Sequence, residues 1–295
     1  MNDTRLLWDD NLVPCNMDTK GCDKVCSDVN AKDYSDIENA VLTGAGKEAD
    51  VLFEAGVTNT LLVNADKETN GQTLYINVNG NDKNQSGKII VNVEDNVTFT
   101  IIENFKGESS TEGRVALRTL IDTGLNSKVR LIQVYMQPES IDVLSDTGCR
   151  LSDNASFEIV QVFVGRGSLY DGIRTELIGN NSAFTADIGY LGAKKQNIDI
   201  NLISNHIGKK TNSGIRVDGA LKDEASKLFR GSIDFKNGSS GSVGAETENV
   251  LLLGEDVRNK TIPLILCAEE DVNGSHGATI GELDEETLFY YASRG

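Results

Sequence analysis

Only two histidines occur in this chain, and one of them sits where chemistry has room: Asn273-Gly274-Ser275-His276-Gly277-Ala278-Thr279. Flanked by Gly274, Gly277 and Ala278, His276 lies where another backbone can approach closely, and a neutral imidazole there can donate to iron or zinc. One imidazole does not hold a metal, so further donors must come from a partner surface or from distant parts of the chain. The adjacent Ser275 does not make a nucleophile and base with it, because neighbouring side chains on an extended segment point to opposite faces. A nucleophile elbow also fails, since position 273 is Asn where that turn needs Gly.

The other reactive residue types are weaker. His206, in LISNHIGKKTNSG, closes an apolar strand and reads as a hydrogen-bonded structural residue. Cys15, Cys22 and Cys26 fall close together, but their spacing matches no structural zinc or cluster pattern, and they read as free thiols on a mobile arm. Five cysteines in all, odd in number and scattered, suit a reducing compartment. Gly44 to Glu48, GAGKE, has a phosphate-loop flavour, yet the motif's first glycine falls on Val41 and Lys47 is followed by Glu instead of Ser or Thr.

The elements that position these residues are mostly strands. TLYINVNG, KIIVNVEDNVTFTII, SKVRLIQVYMQ, ASFEIVQVFVG, QNIDINLIS, SGIRVDG and ENVLLLG alternate or run apolar over short spans broken by Gly, Asn and Asp turns, and the period of two is expected from Val51 onward. In FEIVQVFVG both faces are apolar, with Phe157, Ile159 and Phe163 against Val160, Val162 and Val164, which predicts cover on two sides. One helical interruption is expected at Asp223 to Phe229. Without strand and helix alternation a doubly wound sheet is excluded, and the pattern leaves a β-helix and a β-sandwich both open. Residues 1–50 read as a polar, loosely attached arm with a short helix in SDIENAVL capped by Ser35 or Asp36. Residues 51–283 read as the β core. From residue 284 a helix begins, with Asp284 as cap and Glu285 and Glu286 in its first turn. Its aromatic residues need cover, so either the chain is cut short there or the helix docks on another protein.

Lys and Arg total 28 against 45 Asp and Glu, a net charge of −17, which repels phosphate backbones and anionic membrane faces. The first residues hold no signal-peptide core and no run is long enough for a membrane span, so the reading is cytoplasmic.

Taken together, LISNHIGKKTNSGIRVDGALKDEASKLFRGSI and ENVLLLGEDVRNKTIPLILCAEEDVNGSHGATIGELDEETLFYYASRG resemble the core of the SufB/SufD family, the scaffold proteins of the SUF iron–sulfur cluster assembly system. The residues that carry the resemblance are His206, Thr211 and Ser213, the run Leu251, Leu252 and Leu253, Pro263, Ser275 to Thr279, Leu288-Phe289-Tyr290 and Ser293-Arg294-Gly295. The Ser-His-Gly-Ala-Thr form is similar to the SufD branch. The resemblance implies an all-β, right-handed parallel β-helix with a short C-terminal helix. It implies a non-enzymatic scaffold that pairs with a SufB-like chain or a second copy through Leu251, Leu252, Leu253, Ser275 and Thr279, with His276 as a shared metal ligand and an iron–sulfur cluster held transiently at the join. It also implies docking of a SufC-like ATPase through Leu288, Phe289, Tyr290 and Arg294.

Departures accompany the match. Gly274 stands where a cysteine often precedes the histidine by two residues, and Glu248 stands where SufB-type chains carry a cysteine. Cys267 is nearby but off the motif. The N-terminal helical region of longer members and the helices beyond Gly295 are not part of this sequence. The competing readings are a polysaccharide-acting β-helix enzyme, which needs acids lining a groove and usually export, and a purely structural homodimer module without metal.

Overall fold

A computed structural model describes residues 12–21, 31–56, 59–108, 112–282 and 285–294. In chain order the elements are β1 (Val13–Pro14), β2 (Met17–Lys20), α1 (Ala31–Ala40), α2 (Lys47–Gly56), β3 (Thr60–Ala65), β4 (Thr73–Gly80), β5 (Asn84–Val93), β6 (Thr98–Gly107), β7 (Gly113–Thr123) and β8 (Lys128–Tyr135). They continue as β9 (Ile141–Leu151), β10 (Ser156–Phe163), β11 (Leu169–Leu177), β12 (Ala183–Gly192), β13 (Asn197–His206), β14 (Asn212–Lys222), β15 (Ser226–Phe235), β16 (Ser242–Leu253), β17 (Arg258–Cys267), β18 (Val272–Glu282) and α3 (Glu285–Arg294).

From β3 to β18 the odd-numbered strands stack into one parallel sheet and the even-numbered strands into another, so that each odd and even pair makes one turn of a coil with about eight turns. The chain is a parallel β-helix. Register is tight from turn to turn: Phe157 pairs with Val129 below and Phe184 above, and Ile159 with Leu131 and Ala186. These columns fill the interior with ladders of like side chains. The rings of Phe105 and Tyr135 stack at 4.6 Å, Tyr135 meets Phe163 edge-on at 4.7 Å, and Phe157 stacks on Phe184 at 5.7 Å. One column runs Val115, Val143, Leu169, Ile198, Lys227, Asn259, and its uneven spacing along the chain explains why no exact repeat shows in the sequence.

Corners are cut by single residues in left-handed backbone. Asn96, Asn126, Asn154 and Asn181 sit at φ of 57–63°, a conformation that asparagine tolerates better than most side chains. Their amides stack as a ladder, Asn126 donating to Asn96 at 3.0 Å, Asn154 to Asn126 at 3.1 Å and Asn181 to Asn154 at 3.2 Å.

Several expectations are corrected. Asp223 to Phe229 is not helical: Asp223 turns the chain at φ 58°, and β15 then sends Lys227, Phe229, Gly231, Ile233 and Phe235 to one side. Hydrogen bonding to β13 and β17 on either side overrides the local helix propensity. In β10 only one face is covered, since Phe157, Ile159 and Phe163 are buried while Val162 and Val164 are exposed. A coil has one interior, so the second apolar face meets water.

Residues 31–56 of the N-terminal segment are also packed, not loosely attached. Tyr34, Ile37 and Val41 cluster with Ile90 and Leu120, and Ala49 and Phe53 with Ala116 and Leu144, so α1 and α2 cover the outer face of the odd-numbered sheet. Ser35 and Asp36 lie inside α1 and do not cap it, and Val51 to Gly56 finishes α2 instead of opening the strand region. Between the helices, Gly44 and Ala45 donate to the buried Asp146 carboxylate at 3.1 and 2.8 Å. Arg118 pairs with that carboxylate at 2.6 Å and with Asp50 at 2.7 Å, and its guanidinium lies 4.4 Å from the Phe53 ring. GAGKE thus begins a clamp: a Cβ on Gly172 would sit 2.0 Å from the Ala45 nitrogen. Cys15 is buried in the main core, where burial and the Glu103 charge push its thiol up to about 12, so it is no thiol on a mobile arm. Cys22 and Cys26 lie outside the described residues.

The two ends of the coil differ. At the first turn β1 and β3 lie side by side along β5 and β2 runs antiparallel along β4, and Cys15, Val63 and Ala65 are buried there. At the other end, β17 and β18 have no strand beyond them among the described residues.

Candidate functional site at the last turn

Strand parity decides what faces the open end. Glu246 is in register with His276, and Glu248 with Ala278, so His276 and Ala278 share the interior-facing side with the two carboxylates. Ser275 and Thr279, paired with Ala245 and Asn249, take the opposite side. His276 is exposed, as are Ser275 and Thr279. Small residues open this end: nothing lies within 4 Å of where a Cβ on Gly277 would be, whereas one on Gly274 would meet Ile265 and Phe235 at 3.0 Å. Gly274 therefore lets the last two strands close on each other, and Gly277 leaves the edge free.

Beneath His276 lies a set of buried charges. Lys227 from β15 is ion-paired with Glu248 from β16, and both are fully enclosed. Thr261 from β17 donates to the other Glu248 oxygen at 2.6 Å and accepts from Lys227 Nζ at 3.1 Å, so three strands meet in one network. The ammonium stands 5.7 Å from the Phe229 ring and 5.9 Å from the Tyr190 ring. Burial lowers the Lys227 pKa, against the hydrogen bond and charge of Glu248. Glu246 lies over Gly231, where a Cβ would come within 1.9 Å of its Oε2, so the absent side chain makes its space. Burial first, then the neighbouring Glu248 charge, pushes the Glu246 carboxyl up to about 7.

Lys227, Glu246 and Glu248 were not singled out as a site by the sequence. A signal existed: charged residues two apart in ETENV fall at interior-facing parity, where a strand normally places apolar side chains. Among the described residues no group of three or more His, Cys, Asp or Glu converges to hold a metal ion.

The remaining singled-out residues are dispersed. Leu252 packs on the core, Leu251 is half-buried, and Leu253 is exposed at the end of β16. Cys267 is exposed at the end of β17, in the column of Phe235 and His206 and away from that of His276. His206 is enclosed, with Nδ1 2.7 Å from Thr211 Oγ1, Nε2 2.8 Å from Ser213 Oγ and its ring 4.6 Å from that of Phe235. In α3, Phe289, Tyr290 and Tyr291 are exposed, and the Arg294 guanidinium stands 5.2 Å from the Tyr290 ring. Leu288 lies on the same helix. A groove of about 670 Å³ lined by Met136, Glu139, Val164 and Arg166 lies several turns from this end.

Several known proteins of similar sequence are named for iron–sulfur cluster assembly. Iron–sulfur cluster assembly protein SufD of Bacillus subtilis (strain 168) is 25% identical over 236 residues, covering 79% of this chain and 53% of the relative. SufD of Escherichia coli (strain K12) is 25% identical over 196 residues, 66% of this chain and 46% of that one. The iron–sulfur cluster assembly SufBD family protein PH1385 of Pyrococcus horikoshii is 29% identical over 171 residues, 58% and 38% of the two chains. The chain thus spans about half the length of the first two. The model of the family described as SUF system FeS cluster assembly, SufBD core domain, matches residues 75–295, from β4 through the exposed last turn to α3. This chain, SufD-like in its closest motif, belongs to that SufBD family.

Proposed function

We propose that this chain is a non-enzymatic scaffold subunit of iron–sulfur cluster assembly that pairs, through the last turn of its coil, with a SufB-like chain or a second copy. The observation that carries the reading is the asymmetry of the ends. At the first turn Cys15, Val63 and Ala65 are buried beneath β1, β2 and β3, while β17 and β18 have no strand beyond them among the described residues and keep most of their side chains exposed. Ile262, Leu264 and Leu266 alternate along the outward side of β17 and are 42–46% exposed, and Ile280 on β18 is 55% exposed. An apolar sheet edge of this kind is a template for strand pairing with another chain. Iron is the cargo at that join, with His276 as this chain's ligand, and the cluster forms only when a partner adds donors. Exposed Phe289 and Tyr290, with Leu288 and Arg294 on the same helix, mark α3 as the start of the surface that meets a SufC-like ATPase. No helix among the described residues is long and apolar enough to cross a membrane.

Two variants test the reading. Leu264→Lys with Leu266→Lys, both on the outward side, should leave the fold intact by circular dichroism and abolish pairing in sedimentation velocity. His276→Ala should preserve pairing and abolish cluster maturation when the full-length protein is assayed with its ATPase and partner scaffold. Undiminished pairing in the first, or unchanged cluster yield in the second, ends the corresponding part of the reading.

A further inference from the structure

We propose that Glu246 is a second iron(II) donor of this chain, acting beside His276, so that the half-site is an imidazole and carboxylate pair. The inference rests on the proposed function, in which His276 meets a metal at the join. Glu246 is only 4% exposed, yet its carboxylate makes no hydrogen bond or ion pair with any described residue. A carboxylate so nearly enclosed and without a protein partner is costly, and such groups normally neighbour a cation, bind a metal or keep their oxygens in touch with solvent, as these oxygens do. The buried cation at this end is not available to it, because Lys227 is paired with Glu248 and bonded to Thr261. Room for the Glu246 carboxylate is nevertheless kept by Gly231 across the interior.

Register supplies the rest. Glu246 and His276 are direct partners on adjacent parallel strands and project to the same face. Neighbouring strands stand about 4.8 Å apart, a separation that one ion with bonds of about 2.0–2.2 Å spans when both side chains lean toward it. Nitrogen and oxygen donors without a thiolate suit a bare ferrous ion better than a sulfide-bridged cluster, which leaves the thiolates to the partner. Glu248, which stands where a cysteine is carried in SufB-type relatives, takes no part because it is engaged by Lys227 and Thr261.

The test is anaerobic titration of the whole chain, alone and mixed with a SufB-type partner, with Fe²⁺ by calorimetry and with Co²⁺ by visible absorption. His276→Ala should abolish binding. Glu246→Gln should weaken it by at least ~10-fold, the scale on which even supporting residues of metal sites act, and change the Co²⁺ spectrum through loss of an oxygen donor. If the Gln variant binds as tightly as wild type with an unchanged spectrum while His276→Ala abolishes binding, Glu246 is no ligand and the His276 reading survives. If wild type takes up neither ion in either setting, the shared-metal reading itself fails, and this inference with it. Should Glu246→Gln lose its fold by circular dichroism, Glu246→Asp keeps the charge and withdraws the donor by one methylene. Wild-type affinity and spectrum in the Asp variant overturn the proposal.

Discussion

Glu103→Gln should remove most of one steep component of this protein's pH-dependent stability. Glu103 faces the interior of the coil on β6, fully buried, accepting from Thr119 Oγ1 and from Gln133 Nε2 at 2.8 Å each. Gln133 Oε1 in turn accepts from Gln161 at 2.7 Å, and Gln161 donates to Asp171 at 3.0 Å. Burial pushes the Glu103 carboxyl up to about 7, against the Gln133 and Thr119 hydrogen bonds. In the unfolded chain it titrates near its ordinary value of about 4.3. The folded-state value is raised, so the folded form holds the proton more tightly. Its stabilisation is fully present below pH ~4 and is lost as pH rises through about 7. With about 1.4 kcal/mol per unit, the loss between pH 5 and pH 8 is roughly 2–3 kcal/mol from this one group. The charged neighbours do not blur that window, because Cys15 is pushed up to about 12 and Tyr135 far above its ordinary range. Asp171, raised to about 7 by burial, contributes in the same direction in both proteins and cancels in the comparison. A glutamine at 103 can accept from Gln133 and donate to the Thr119 hydroxyl, so little packing is lost. Urea unfolding from pH 5 to pH 8 is the assay. The variant should match wild type at pH 5, exceed it by roughly 2–3 kcal/mol at pH 8, and show an unchanged m-value. Parallel pH profiles for the two proteins would refute the reasoning.

Three other predictions follow from different parts of the coil. Lys227→Met should leave Glu248 enclosed without a cation and cost about 3–5 kcal/mol in urea unfolding, whereas adding Glu248→Leu should recover most of the loss; a single variant as stable as wild type would contradict the network. Gly172→Ala should push the Gly44 and Ala45 loop off the coil, lowering the unfolding free energy by about 1–3 kcal/mol and exposing α1 and α2 to limited proteolysis; an unchanged melting temperature would mean that the loop yields freely. His206 should stay neutral down to about pH 4 because burial lowers its pKa from the ordinary 6.5, so its ring resonances should not titrate above pH 5, and its contribution to stability should be present above pH 6.5 and fade as pH falls toward 4; titration near pH 6 by NMR would show an open ring.

Much of the strand layout was legible in the amino-acid order, since the period of two in TLYINVNG or ASFEIVQVFVG is a local property of extended backbone. The corners were less legible: Asn96 turns the chain inside KIIVNVEDNVTFTII, which reads as one apolar span, and Lys194, Lys210 and Asp223 take the same left-handed φ as the asparagines. The helix expected at Asp223 to Phe229 shows the limit of such local reading, because pairing with β13 and β17 outweighs a short run of helix-forming residues. The N-terminal segment looked polar and unattached because its few apolar residues, Tyr34, Ile37, Val41 and Phe53, count only against Ile90, Leu120 and Leu144 on distant strands.

The candidate site divides in the same way. His276 stood out from the sequence by rarity and small neighbours, both local facts. That Glu246 lies directly beneath it, that Lys227 is paired with Glu248, and that both fall at the uncovered end of the coil depend on which residues of one turn stack on which of the next. A chain whose turns vary in length encodes that register only through the summed packing of the whole interior. Residue order therefore settled most of the strands and the suspect imidazole, while the stacking of turns alone placed the carboxylates against it.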